Sequence, residues 1–406
     1  MIRFFQCVCF LLLAALVSFP TAADNGDSLA LVGATVYTSP NATPLHDAVV
    51  VISGGRIAAV GKRAEAKIPK GVRIVNCSGK TVVAGFWNSH VHFSEANWNN
   101  AATAPVAGLE KHMQEMLTRW GFTTVWDLGS NPSDILELRR RVESGEVVGP
   151  RMLLAGDIFP KNGHPVYLPA EMQLPEAATA DEAAQIARDD LKMGLDGMKL
   201  FTGAFMGDKP VVHMDTAIVK AAVDVAHAQG KPVFAHPQDR VGLDNAVAGG
   251  VDILAHTIPS TDFHYTPEEL ARFKAQHTAL IPTLTLWTTI LNDQAVTAHI
   301  VQAGVDQLKA FSSNGGTVLF GTDVGFITIY DTSLEVEFMH RALSTSEVLA
   351  SLTTNPAAYF KADKKGRVEQ GLDGDVVVLD GDLGDDVRNL ARVAYTIRAG
   401  RIIYQR

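Results

Sequence analysis

The sequence predicts an α/β fold: a (β/α)8 TIM barrel with a small β-sandwich built from both chain ends. Three observations predict it. Short β patterns with glycine turns fill residues 28–84 and return at the C-terminus. Eight apolar, strand-like segments alternate with amphipathic helical segments between those ends. Polar residues close five of the eight segments at the same end, where a barrel of this kind gathers its chemistry.

The elements can be justified in chain order. Residues 1–23 carry one early Arg3, a short apolar core, then Pro20 and "TAA" before an acidic stretch. That is the shape of a secretory signal peptide, cleaved near Ala23/Asp24, and it implies a secreted or periplasmic protein. The apolar core is short and abruptly ended for a membrane anchor, which is the alternative. Removal of this segment takes Cys7 and Cys9 with it and leaves Cys77 alone, so no internal disulfide can form. Cys77 reads as a small packing residue.

Residues 24–84 hold the patterns "LALVGATVYT", "AVVVISGGRIAAVG" and "VRIVNCSGKTVVAG", with the Gly54-Gly55 pair marking a hairpin turn. Residues 364–406 repeat the style in "GDVVVLDGD" and "VAYTIRAGRIIYQR". The two stretches are predicted to form one β-sandwich around the inserted barrel of residues 85–363. Its eight strands are "GFWNSHVH", "TTVWDLG", "RMLLAG", "GMKLF", "PVFAH", "DILAHT", "ALIPT" and "TVLFGTD". Helical patterns such as "DEAAQIARDDLKMG" and "DTAIVKAAVDVAHAQG" lie between them and stop at glycine. An open doubly wound sheet is the alternative, but no glycine-rich phosphate loop follows the first strand.

Composition excludes some functions. Charged residues are 19% and the apolar set 47%, as in a soluble globular protein. The net charge of −9 and the lack of a basic block argue against nucleic acid as a partner. The mature chain is expected to be free of the membrane, and a homo-oligomer is compatible with its size.

The strand ends carry the chemistry. His90 and His92 are two residues apart in a strand, so they point to one side and can share a cation. Lys199 lies in "GMKLF", His236 ends "PVFAH", His256 ends "DILAHT", and Asp323 ends "TVLFGTD". Each follows an apolar run, and an unpartnered polar group there costs on the order of 1–3 kcal/mol. Six such residues on five strands point to one shared metal site.

With these residues in view, the chain resembles the amidohydrolase superfamily, in its imidazolonepropionase-like and prolidase-like (Xaa-Pro dipeptidase-like) branch. The resemblance covers nearly all of residues 28–406. It rests on the leading β segment, the HxH strand, the lysine strand, the two later histidines, "GTD" and the tail "NPAAYF…GRVEQGLDGDVVVLDGD". It implies two divalent metal ions. His90 and His92 would hold the first, and His236 and His256 the second. Lys199, converted to a carbamate by carbon dioxide, would bridge them. Asp323 would bind the first metal and act as the proton-transferring base. Mixed nitrogen and oxygen ligands suit zinc best, then manganese, cobalt or iron. A metal-bridged hydroxide would hydrolyse an amide-type C–N bond.

Two positions depart from the family pattern. Asn88 stands where many relatives have Asp, and Gln238 where prolidase-like relatives have Tyr. His164, Gln238, Arg240 and Tyr330 are candidate substrate-binding residues, and Trp287 is a candidate lining residue. The implied substrate is a small amide such as a dipeptide or an N-acyl amino acid. Ring opening of a lactam or imidazolone is the alternative, as is a non-catalytic metal- or ligand-binding relative.

Overall fold

The computed structural model describes residues 28–170, 172–291 and 293–406. The signal peptide expected at residues 1–23 lies outside them. Eight parallel strands pair in chain order: Phe86–Val91, Phe122–Asp127, Arg151–Pro160, Gly197–Phe201, Val233–His236, Ile253–Ala255, Ala279–Ile281 and Thr317–Val318. Every residue of the first and fourth is buried, because helices cover the outside and side chains fill the inside. This is the predicted barrel.

The helices start and stop on local chemistry. Thr179 and Glu182 form a reciprocal capping box before Ala180–Met193, which ends at Gly194 with φ 104°. Thr266 and Glu269 do the same before Pro267–Gln276. Asp239 caps Arg240–Gly249 by accepting from the Gly242 N–H.

The eighth strand is only two residues long, yet the chain beyond it closes the barrel. Ser89 donates its N–H to Phe320 O at 2.7 Å, Asp323 to His90 O at 2.9 Å, and His92 to Val324 O at 2.8 Å. Asn88 is fully buried in this seam. Its Nδ2 donates to Thr322 Oγ1 at 2.7 Å, and its Oδ1 accepts from the N–H groups of His90 and Thr322, both at 3.2 Å. Two glycines let the strands approach. A Cβ on Gly321 would meet Ile281 Cγ2 at 2.4 Å, and one on Gly325 would meet His92 O at 1.7 Å.

The chain ends build a second, eight-stranded sheet. Val376–Asp380 pairs antiparallel with Lys80–Ala84, which joins the C-terminal strands to the N-terminal ones. The edge strand Arg56–Lys62 is tied back to the C-terminal segment: Ile57 N–H meets Leu372 O at 2.9 Å, and Gly374 N–H meets Gly55 O at 2.8 Å. The sheet wraps an apolar core in which Cys77 is buried, and a smaller cluster of Ala30, Val32, Val49 and Val51 covers its other side. Gly54 and Gly55 take φ values of 57° and 73°, as their hairpin turn requires. Among the described residues, no helix is long and apolar enough to cross a membrane.

Asn88→Ala would leave buried N–H groups at His90 and Thr322 without their acceptor. Urea unfolding should show a loss of about 2–4 kcal/mol. Asn88→Asp keeps both acceptors and should stay within about 1 kcal/mol of the natural protein. An alanine variant as stable as the natural chain would remove Asn88 from this role.

Candidate metal centre

The period of the first strand turns His90 and His92 to the same side, and their Nε2 atoms lie 3.2 Å apart. Asp323 arrives from the other side of the seam with a left-handed φ of 60°. Its carbonyl accepts from the Phe326 and Ile327 N–H groups, which turns the chain away and leaves the carboxylate facing inward. Asp323 Oδ1 lies 3.0 Å from both Nε2 atoms. Among the described histidine, cysteine and carboxylate groups, these three alone converge as a candidate metal cluster.

The protons show why the cluster fits a cation. His92 Nδ1 faces Gly129 O at 2.8 Å, and a carbonyl can only accept, so Nδ1 carries the hydrogen. The Nε2 lone pair therefore points at His90 and Asp323. Asp323 Oδ1 is buried without an aligned hydrogen bond. Three acceptors at this spacing, with His90 and Asp323 buried and His92 partly so, repel one another. Ligands about 2.1 Å from a metal, at right angles, are themselves about 3 Å apart. Burial first, then the Lys199 charge, hold His90 down to about 3, so it is neutral and able to ligate near neutrality. His92 behaves differently: burial lowers it, but its close approach to the Asp323 carboxylate outweighs that and raises it. For Asp323, burial is outweighed by His90 first and by the close approach of His92, which hold it well below the usual carboxylate range.

The remaining predicted ligands line the same floor. The rings of His90 and His256 are 4.7 Å apart, and those of His236 and His256 are 4.8 Å apart. His236 is held to about 4, by burial first and then by the Lys199 charge. Its Nε2 meets Gln238 Oε1 at 3.1 Å, which leaves Nδ1 with the lone pair. Lys199 is 1% exposed and forms no hydrogen bond or ion pair among the described residues. Burial pulls its ammonium down to about 8, against the opposing charges of Asp323 and Asp157.

His256 follows its strand with φ 76°, and its Nδ1 lies 2.6 Å from Thr283 Oγ1. Thr283 has φ 44°, a strained backbone for a β-branched residue. Glu335 holds that turn. It is fully buried and accepts from the N–H groups of Leu284 at 2.9 Å and Thr285 at 2.7 Å. Burial pushes its carboxyl up to about 7, against those bonds. Positive φ at Gln238, His256, Thr283 and Asp323 places strained backbone around one site.

The candidate substrate residues have partners of their own. Arg240 is paired with Glu269, donates to His264 O at 2.9 Å and covers the Phe263 ring at 4.5 Å. Tyr330 donates to Glu95, which also pairs with the buried His112. His164 Nδ1 and Nε2 lie 3.2 and 3.3 Å from the carbonyls of Pro165 and Met172. Trp287 donates to Thr257 Oγ1 at 3.0 Å, with its ring 6.1 Å from His256.

Two acidic residues were missed by sequence reasoning. Asp157 stands in register with Lys199, and burial raises it to about 6. Asp127 ends the second strand, accepts from Ser130 Oγ at 2.6 Å, and is raised by burial to about 7. The available signal was an Asp at the end of an apolar strand, in "TTVWDLG" and "RMLLAGD".

Residues 81–403 match the model of the amidohydrolase family. The chain belongs to that family. It is 22% identical over 398 residues to the imidazolonepropionase of Porphyromonas gingivalis, covering 88% of this chain and 89% of that protein. It is 24% identical over 391 residues to the allantoinase of Solibacter usitatus, covering 82% and 81%. The crystal structure of a putative prolidase from Bifidobacterium longum superposes with a TM-score of 0.78 at 26% identity, over 93% of this chain and 95% of that one. Within the superfamily this amidohydrolase lies with the imidazolonepropionase-like and prolidase-like members, and it is a hydrolase of C–N bonds.

Two outcomes test the supports. Thr283→Val removes the partner of His256 Nδ1 while keeping the shape. Zinc affinity, read by chelator competition, should fall about 10- to 100-fold, and Thr283→Ser should restore it. Unchanged affinity in the valine variant would separate Thr283 from the site. Glu335 supplies a pH dependence. The folded chain keeps its proton up to about 7, whereas the ordinary value is 4.5. Folding therefore retains a proton between those values, and stability falls as pH rises through that window. Glu335→Gln should flatten this slope in urea unfolding series; an unaltered slope would assign it to other groups.

Proposed function

We propose that this amidohydrolase is metal-dependent and cleaves the amide C–N bond of a small substrate such as a dipeptide or an N-acyl amino acid. The observation that carries this reading is the convergence of His90 Nε2, His92 Nε2 and Asp323 Oδ1 with no proton assigned between two of them. These three would hold one divalent cation, and His236 Nδ1 and His256 Nε2 would hold a second. Lys199 would join the two as a carbamate. An amine must be neutral to capture carbon dioxide, and the lowered value of about 8 favours that form. Zinc suits the nitrogen and oxygen donors. Such ions supply Lewis acidity and an activated water.

The chain's own residues then have defined tasks. Gln238 fixes the tautomer of His236 and Gly129 that of His92, while the Thr283 hydroxyl engages His256 Nδ1 and holds its ring. Asp323 receives the proton of the attacking water and returns it to the leaving nitrogen. Its position between both histidines keeps it ionised and ready to accept. The substrate roles of His164, Gln238, Arg240 and Tyr330 remain proposals of the sequence, and Arg240 could meet a carboxylate only by leaving Glu269. Export rests on the sequence of residues 1–23 alone.

Ring opening of a cyclic amide is the second reading. Similarity to an imidazolonepropionase across most of the chain favours it.

Mass spectrometry of the zinc-loaded protein with pooled dipeptides, N-acyl amino acids and cyclic amides separates the two. Fragmentation of linear members supports the first reading, and addition of one water to cyclic members alone supports the second. Asp323→Asn should lower turnover at least about 1,000-fold. Full activity in that variant would overturn the role of Asp323 as base.

A further inference from the structure

Loops at the C-terminal ends of the third and fourth barrel strands carry exposed apolar side chains. Val166 is 57% exposed, and Tyr167 and Phe205 are each 39% exposed. Val166 N–H donates to Phe205 O at 3.1 Å, which ties the third loop to the fourth. The Tyr167 ring meets the Phe326 ring edge-on at 5.2 Å, which carries the third loop across to the eighth. Phe326 lies three residues beyond Asp323 and donates its N–H to Asp323 O at 3.2 Å. It also packs on an apolar cluster that contains Trp287, whose ring faces His256. An apolar wall therefore runs from the His256 side of the site, past Asp323, to the open loops.

The wall has one polar feature. The Tyr167 hydroxyl has no hydrogen-bond partner among the described residues. Burial first, and then the Asp323 charge, raise it above the ordinary phenol range, although the ring itself is open to solvent. A phenol is a neutral donor, so it can bond a carbonyl without neutralising a charge.

We propose that Tyr167 and Phe326 form the specificity wall of the site, and that the amide cleaved there carries an apolar group of aromatic size seated against them. The Tyr167 hydroxyl is free to bond the substrate. This rests on the amide-cleaving reading above and narrows it. Apolar area removed from water is worth roughly 25 cal/mol per Å2, so an aromatic group against this wall gains much more than a methyl group. The commitment of Arg240 to Glu269 agrees with recognition by apolar contact in place of charge.

The test compares N-benzoyl and N-acetyl amides of the same amines, together with Phe-Ala, Ala-Phe and Ala-Ala, on the zinc-loaded full chain. The natural protein should prefer the aromatic member of each cleaved set by about tenfold or more in kcat/KM. That preference should shrink to less than about threefold in Phe326→Ala and in Tyr167→Ala. Both side chains are partly exposed, and matching thermal unfolding confirms that the variants fold. Equal use of acetyl and benzoyl members, or a preference that survives both substitutions, overturns the wall. A binding arm keeps this separate from the reading beneath it. Phenylacetamide should quench tryptophan fluorescence in the natural protein and bind at least about fivefold more weakly in Phe326→Ala. Loss of binding in the variant supports the wall even if no amide is cleaved, a result that would instead sink the amide-cleaving reading. Equal binding by both proteins overturns the wall.

Discussion

The seam between the first and eighth barrel strands is the constraint on which the site depends. His90 and His92 lie on one side of it and Asp323 on the other, more than 200 residues away in the chain. Their ligand atoms reach 3.0 Å only because the backbones pair directly, and they pair directly because Gly321 and Gly325 present no Cβ. Asn88 ties the two sides with one donor and two acceptor contacts. A methyl group at Gly325 would occupy the space of the His92 carbonyl, so the same contact closes the barrel and sets the ligand spacing.

Closing the barrel there creates an electrostatic conflict that the fold does not resolve alone. Imidazoles and a carboxylate converge where His90 and Asp323 are buried and His92 is partly so, and the lysine beside them forms no ion pair among the described residues. In a low-dielectric interior such an arrangement is stable only when a cation or a proton stands between the acceptors. Burial lowers His92, yet the neighbouring Asp323 carboxylate outweighs this and raises it, which marks the cluster as a place that favours positive charge. A metal held by these atoms would link its own affinity to barrel stability. The supports of the far histidines follow the same logic: Gln238 and Thr283 each engage a ring nitrogen, and the buried Glu335 holds the turn that makes Thr283 available.

Specificity lies in a different layer. The strands supply a common floor, while the loops after the third, fourth and eighth strands supply a wall of apolar side chains. Loops of this kind can change without disturbing the barrel, since they hold little of its core. The polar residues near them, Arg240, Tyr330 and His164, are drawn into contacts with Glu269, Glu95 and backbone carbonyls.

Much of this was legible in the sequence, for a physical reason. Buried parallel strands must be apolar, so each polar residue that ends one stands out; that exposed His90, His92, Lys199, His236, His256 and Asp323. Capping residues and terminal glycines marked the helices because unsatisfied helix ends need them. Asp127 and Asp157 were missed because strand boundaries are set by pairing, and Asp157 became an interior residue only when its strand ran on past "RMLLAG". The sequence by itself determined the fold class and the residue types that line the candidate site, because periodicity and residue type are local properties. Only the tertiary structure decided which ring nitrogen faces the site, that Arg240 is already paired, and that Tyr167 crosses to Phe326. Those facts depend on contacts between residues far apart in the chain, which no local pattern encodes.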